Sequence, residues 1–174
     1  MGQYYYPIIL DKEGKIVVWM CAHTYGNGAK LTEHSYMQNN FVSTFEFGLS
    51  PEGSRHKSRV VWAGDYADPE PDQEHNLYHQ CTDYSEVRPA EKDTTKYRFI
   101  VNHSKRLFVD KTKVRRGEEG MAYHPLPLLT AEGNGRGGGD YRGESPLIGS
   151  WARDVMSVET EAPADFEELL FEGA

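Results

Sequence analysis

Short apolar runs separated by turn residues dominate the sequence and predict β-strands. Residues 3–10 and 15–23 are two such runs, and the polar turn at residues 11–14 joins them as a hairpin. Residues 96–102 and 106–110 flank another short polar turn and predict a second hairpin. Residues 59–63 and 151–159 predict two further strands, so the chain is rich in strands.

One segment has the repeat of an amphipathic helix. Apolar residues that recur about every four positions form a single helical face, and they are Met37, Phe41, Val42, Phe45 and Leu49. Ser35 and Gln38 have the spacing of a capping box, which predicts a start near residue 35. Short helices are predicted at residues 75–81 and 165–171. Two prolines predict an extended segment at residues 124–130.

These elements predict an α+β fold, in which a mainly antiparallel sheet with long loops packs on one principal helix. The length of 174 residues fits one domain of ordinary size. Neither an internal repeat nor a dividing linker interrupts it, so residues 1–174 are expected to form a single domain.

Charge and composition exclude several classes of protein. The formal net charge of −8 disfavours non-specific binding to nucleic acids. No run approaches about 18 apolar residues, and the first residues lack the pattern of a signal peptide, so a cytoplasmic protein with no membrane partner is expected. Cys21 and Cys81 do not suggest a disulfide scaffold. The sequence leaves a homo-oligomer open.

The segment 132–143 is the most unusual part of the chain, because six of its twelve residues are glycine. It matches the glycine spacing of dinucleotide-binding loops, but no βαβ unit surrounds it, so that fold is excluded. A non-helical loop whose backbone N–H groups face an anion remains, with a surface loop that binds nothing as the alternative. Its candidate ligand-binding residues are Asn134, Arg136, Asp140, Tyr141 and Arg142.

Two further loops follow predicted strands directly, where binding residues are frequent. The candidate ligand-binding residues in these loops are Tyr25, Asn27, Asp65, Tyr66 and Asp68. A plain hairpin turn and a solvated acidic loop are the alternatives. His23 and His103 are the candidates for acid–base catalysis if the protein is an enzyme. Basic residues between 103 and 116 suit phosphate or form a solvated face.

No metal site or cofactor is predicted. Cys21, His23, His79 and Cys81 supply the residue types of a zinc site, but the usual close spacing of paired cysteines is missing. Cys21 is therefore interpreted as a small core residue.

Several segments resemble a set of small proteins of bacteria, phages and mobile elements that have no assigned activity. The segments that carry this resemblance are residues 1–5, 23–28, 33–36, 61–68, 125–130 with the glycine-rich segment, and 151–154. The resemblance supplies no catalytic residues. It implies a setting in phage–host conflict, including a role against host defence.

Three functions follow as hypotheses. The leading one is a binding module for a small anionic, nucleotide-derived ligand, which would sequester a signalling molecule in phage–host conflict. The first alternative is a phosphodiesterase-like hydrolase of such a ligand. The second is a protein–protein inhibitor of a host factor, which the strong negative charge favours. The sequence leaves open whether the protein is an enzyme.

Overall fold

The computed structural model describes residues 2–117, 120–133 and 145–172. In these ranges the chain forms one sheet of eight strands and four α-helices. Their bounds are β1 Tyr5–Leu10, β2 Ile16–Trp19, α1 Leu31–His34, α2 Asn40–Gly48, β3 Ser58–Gly64, α3 Leu77–Cys81, β4 Phe99–Asn102, β5 Leu107–Asp110, α4 Pro125–Leu129, β6 Ala131–Glu132, β7 Val155–Glu159 and β8 Glu167–Glu168.

The sheet is mainly antiparallel, which confirms the predicted α+β class. Its strands lie in the order β2-β1-β3-β7-β4-β5-β8, and β6 pairs with β3 beside this path. The β1–β2 and β4–β5 pairs are the two predicted hairpins. Within the described ranges, β6 and β8 are the strands that pair in parallel, and each contributes only two residues.

Strand β3 lies near the centre of the sheet and is buried on both faces. Val60 and Trp62 point towards α2, where the rings of Phe45 and Trp62 meet with centroids 5.0 Å apart. Val61 and Ala63 point to the opposite face, which α3 covers. A strand buried on both faces is continuously apolar, which explains the run that the sequence shows here.

The principal helix α2 begins later than the sequence predicts. It starts at Asn40, and the side chain of Asn39 accepts hydrogen bonds from the backbone N–H groups of Phe41 and Val42. Ser35 is fully buried at the end of α1 instead of capping α2. The predicted apolar face is confirmed for Phe41, Val42, Phe45 and Leu49, whereas Met37 precedes the helix and is only partly buried. The predicted cap is wrong, because asparagine and serine are almost equally good at this position.

Two other predicted elements are wrong. Residues 125–129 form the helix α4 instead of an extended segment, since Pro125 and Pro127 lie in its first turn, where the backbone N–H groups need no partner within the helix. Residues 165–171 do not form a helix. The backbone of Glu167 and Leu169 pairs with β5 and extends the sheet. None of the described helices has the length and apolar character that crossing a membrane requires.

Candidate functional site

The loop after β2 leads towards α2, and two of its candidate residues make hydrogen bonds within the protein. Residues Ala22–Tyr25 form a short 3-10 helix, on which His23 is exposed. The hydroxyl of Tyr25 donates to the carbonyl of Pro89 at 2.7 Å. Asn27 donates to the side chain of Asn40 at 2.8 Å. Tyr25 and Asn27 therefore hold the chain together here, and the binding role predicted for them stays a prediction.

The loop after β3 presents its candidates to solvent. Asp65 accepts from the backbone N–H of Tyr4 at 3.0 Å, and the backbone around it is held by Asn76. Tyr66 is 43% exposed, and Asp68 is also exposed. These three residues lie close together along the chain, but no hydrogen bond or ion pair joins them to His23, Tyr25 or Asn27 within the part of the chain that the structure describes.

His103 belongs to a chain of hydrogen bonds on β4 and β7. Its Nε2 lies 2.7 Å from the hydroxyl of Ser157, which donates to Glu159 at 2.7 Å. Glu159 also contacts His56 at 2.6 Å. Burial, with the nearby charge of Lys57, lowers the pKa of His103. Ser157 is fully buried and bonded on both sides, so this arrangement does not present a serine nucleophile.

The five candidates of the glycine-rich segment, Asn134, Arg136, Asp140, Tyr141 and Arg142, lie outside the described residues.

The chain that leads into this segment is well anchored. Arg153 makes two hydrogen bonds to Glu132 and two to Glu70, at 2.5 to 2.9 Å. The bond to Glu70, the largest effect, and that to Glu132 raise the pKa of Arg153. These contacts tie residue 132 to the acidic loop.

A cleft of about 630 Å³ lies between α2, the segment 91–95 and the end of β5. This volume is in the range of pockets that hold small ligands, about 300–1,000 Å³. Of the seven predicted residues that the structure describes, none lines this cleft. Asn27 touches its wall, since it bonds Asn40.

Glu46 forms the floor of this cleft and has partners from three separate segments. Its carboxylate accepts from the ammonium group of Lys111 at 2.5 Å and from the hydroxyl of Thr94 at 2.6 Å. Nε2 of His124 lies 3.4 Å from the second oxygen. All four residues are at most 9% exposed. A buried ionised group in a cleft is a recognised mark of a functional site.

The electrostatics of this floor cluster (Glu46, Thr94, Lys111 and His124) keep Glu46 ionised. Burial alone would raise the pKa of Glu46. The facing imidazole N–H of His124 and the ammonium of Lys111 outweigh burial and lower that pKa to about 2. The carboxylate is therefore charged at any physiological pH. Because its oxygens are already occupied, it is a poor general base.

His124 is held in one neutral form. Its Nδ1 accepts from the backbone N–H of Leu126 as the cap of α4, at 3.1 Å, so the ring proton must sit on Nε2. Burial lowers the pKa of His124, which favours the same neutral form. Nε2 is buried and makes no hydrogen bond of normal length among the described residues, and it lies 3.4 Å from the second oxygen of Glu46. The N–H of His124 therefore faces the carboxylate within the floor cluster.

The cleft is lined by equal numbers of acidic and basic side chains. The charged lining residues are Glu46, Glu91, Asp93, Lys92, Arg98 and Lys111. Arg98 forms a two-pronged ion pair with Asp110 at 2.5 and 2.8 Å, which holds the pKa of Asp110 well below its usual range. The buried pair Glu46 and Lys111 lies at the floor, whereas charges of both signs lie nearer the opening, because Glu91, Lys92, Asp93 and Arg98 are exposed.

A second cleft of about 610 Å³ adjoins the first. Four residues line both clefts, and we call them the waist: Met37, Gln38, Lys111 and Thr112. Lys111 therefore faces both spaces from a fixed position. Arg116 also lines the second cleft, whereas Lys113 and Arg115 pair with acidic residues of the C-terminal segment. Lys111 and Arg116 of the basic stretch therefore line the second cleft, whereas Lys113 and Arg115 form ion pairs elsewhere.

Gln38 adopts a left-handed backbone conformation at the waist, with φ of 66°. Such a conformation costs a residue other than glycine about 1 kcal/mol or more, and strain of this kind concentrates at functional sites. We expect Gln38→Gly to raise the free energy of unfolding by about 0.5–1 kcal/mol. Urea denaturation measures this change in the free energy of unfolding. Gln38→Ala, which keeps the strain and loses the same side chain, should show no gain, and an equal gain in both variants would contradict the explanation.

Sequence reasoning missed Glu46 and His124 as site residues. A signal for Glu46 was present, because it follows Val42 by four residues and precedes Leu49 by three on the buried side of α2. A carboxylate at such a position needs a buried partner. The partner cannot be predicted from the sequence, because Lys111 lies 65 residues away.

No protein-family model, no curated protein and no solved structure matches this chain. The resemblance to small proteins of phages and mobile elements, and the setting that it implies, therefore stay predictions. No group of three or more histidine, cysteine or acidic side chains could hold a metal ion in the described ranges. The two clefts are therefore the features of this protein that bear on its function.

Proposed function

We propose that this protein binds a small anionic ligand in the cleft above the floor cluster. The observation that carries the proposal is the position of Lys111, which Glu46 fixes at 2.5 Å in the wall shared by both clefts. An ammonium group has three protons, and this bond uses one of them. The remaining donor capacity suits the oxygens of a phosphate or carboxylate.

The same geometry favours binding over hydrolysis. A general base works best with a pKa near the operating pH and with a free lone pair. The pKa of Glu46 is lowered to about 2, and Nδ1 of His124 is used to cap α4. His23 and His103, the predicted acid–base residues, do not line the cleft. The floor cluster is therefore arranged to hold charge.

Lys92 and Lys96 form a matched pair for testing the proposal. Lys92 lines the cleft, with its ammonium 5.2 Å from the ring centre of Phe47, whereas Lys96 is exposed and pairs with Glu52 outside it. We expect Lys92→Ala to weaken the binding of a small phosphate ligand about fivefold, because a cation at the opening attracts the anion. Lys96→Ala should leave the affinity unchanged.

Isothermal titration calorimetry with a panel of small anions, including inorganic phosphate, ribose 5-phosphate and citrate, provides the measurement. Circular dichroism melting of both variants checks that the fold is kept. Equal losses for Lys92→Ala and Lys96→Ala would indicate a non-specific charge effect. No binding of any anion to the wild-type protein would overturn the proposal.

A further inference from the structure

The second cleft differs chemically from the first. Its charged lining residues, among those described, are the cations Lys111 and Arg116. Its walls also carry the ring of Tyr36 and the side chains of Met37 and Met121. Flexible methionines and an aromatic ring suit a flat apolar group, and the two cations suit an adjacent negative charge. One ligand with both parts would therefore fit the adjoining clefts.

Tyr36 is held as a platform for stacking. Its ring lies nearly parallel to that of Tyr123, at 24°, with centroids 5.8 Å apart. The two residues also form a backbone bridge, and the hydroxyl of Tyr36 donates to the carbonyl of Thr32. Tyr36 lines the cleft, whereas Tyr123 does not and supports the ring from behind. A ring fixed in this way loses little entropy when a ligand stacks on it.

The waist connects this platform with the floor cluster. Met37, Gln38, Lys111 and Thr112 line both clefts, so the two spaces lie on either side of this shared wall and a ligand can reach from one to the other across it. A ligand whose aromatic group lies on Tyr36 can place its anionic group beside Lys111. The polar side chains of Gln38 and Thr112 lie between these two positions and suit the hydroxyl groups of a sugar.

We propose that the ligand class is the nucleoside monophosphates, with the base stacked on Tyr36 in the second cleft, the ribose at the waist and the phosphate beside Lys111. This inference rests on the proposed function and deepens it, because the first cleft alone would accept any small anion. It assigns base recognition to Tyr36 and not to the exposed Tyr66 after β3.

Calorimetric titration of the wild-type protein with adenosine 5′-monophosphate and with ribose 5-phosphate separates the contribution of the base. We expect the nucleotide to bind about tenfold more tightly or better, which is the usual scale of stacking one base on an aromatic side chain. Equal affinities would overturn this inference and leave the proposed function intact. If neither compound nor inorganic phosphate binds, the proposed function itself fails.

Three variants test where the base lies. Tyr36→Leu should weaken the nucleotide about tenfold and leave ribose 5-phosphate unchanged, because only the ring is lost. Tyr36→Phe keeps the ring and loses only the bond to Thr32, so it should bind the nucleotide more tightly than Tyr36→Leu does. Tyr66→Leu, the matched change at a tyrosine outside both clefts, should also have no effect. A loss confined to Tyr66→Leu, or nucleotide affinity unchanged in Tyr36→Leu, would contradict the assignment.

Discussion

Replacing Lys111 with methionine is expected to lower the free energy of unfolding by about 3–5 kcal/mol, the largest effect of any single change considered for this protein. The substitution removes the ammonium group that lies 2.5 Å from Glu46 and leaves that carboxylate buried without its main partner. Chemical denaturation at pH 7 measures the loss. Adding Glu46→Gln to the same protein should restore most of it, because the buried charge is then absent.

The variant should also respond to pH in a distinctive way. Without Lys111, burial raises the pKa of Glu46 above its unfolded value, so the folded state takes up a proton more readily. Stability is then fully present below the unfolded pKa of about 4.5 and is lost as the pH rises through the folded pKa. We therefore expect the difference in stability between the wild type and Lys111→Met to be smaller at pH 5 than at pH 7, because the other titrating groups are common to both proteins and cancel in this difference. An equal difference at both pH values would contradict the assigned role of Glu46.

Lys113 provides the control for this prediction. It lies two residues along the same short helix, and its ammonium contacts Glu168 at 2.6 Å. Its side chain is 50% exposed, and exposed ion pairs contribute only about 0–1 kcal/mol. Lys113→Met should therefore change the stability by less than about 1 kcal/mol. A loss as large as that of Lys111→Met would show that burial is not the cause.

Acidification should destabilise the fold through His34, by about 3 kcal/mol between pH 6.5 and pH 4. The Nδ1–H of His34 donates to the carbonyl of Gly28 at 2.9 Å, and Nε2 accepts from the indole N–H of Trp62 at 2.9 Å. Both contacts require the neutral ring. Burial lowers the pKa of His34 from 6.5 to about 4, although Gly28 and Glu33 oppose it.

The direction of this effect follows from which state binds the proton. The unfolded chain takes up a proton on His34 near pH 6.5, whereas the folded protein resists until about pH 4. The stabilisation is therefore complete above pH 6.5 and is lost as the pH falls through this window, at about 1.4 kcal/mol for each pH unit.

His34→Gln isolates this contribution. An amide can replace both hydrogen bonds but does not titrate, so the variant should lose less stability on acidification than the wild type. Burial also lowers the pKa of His103 and of His124, and the wild type and the variant both keep these groups. The difference between two denaturation series, from pH 7 to pH 4, gives the effect of His34 alone. Parallel series would refute it.

The fold could be predicted largely from local patterns. Each hairpin is encoded by two apolar runs and a turn, and α2 is encoded by its apolar repeat, so these elements require no long-range information. The prediction failed where tertiary contacts decide. Pro125 begins a helix because the buried segment 125–129 needs its backbone bonds satisfied, and residues 167–168 become a strand because β5 offers a partner.

The site could not be predicted in the same way. Strand ends and the glycine-rich segment attract notice because of their composition, whereas the floor cluster consists of ordinary residues at positions 46, 94, 111 and 124. Their proximity is a result of the sheet order and of the path of the segment 82–96. The sequence indicates Lys111 only as part of a basic stretch, and such a stretch does not predict that one of its lysines is buried.

The most direct test is to map the site of binding by amide chemical shifts in a titration with adenosine 5′-monophosphate. We expect the shifts to concentrate at the backbone amides of Gln38, Ser43, Thr94 and Thr112, which belong to the walls of the two clefts. Shifts confined to residues 23–27 and 65–68, with no shift at the cleft residues, would contradict this assignment. The binding site would then lie in the loops that the sequence predicts.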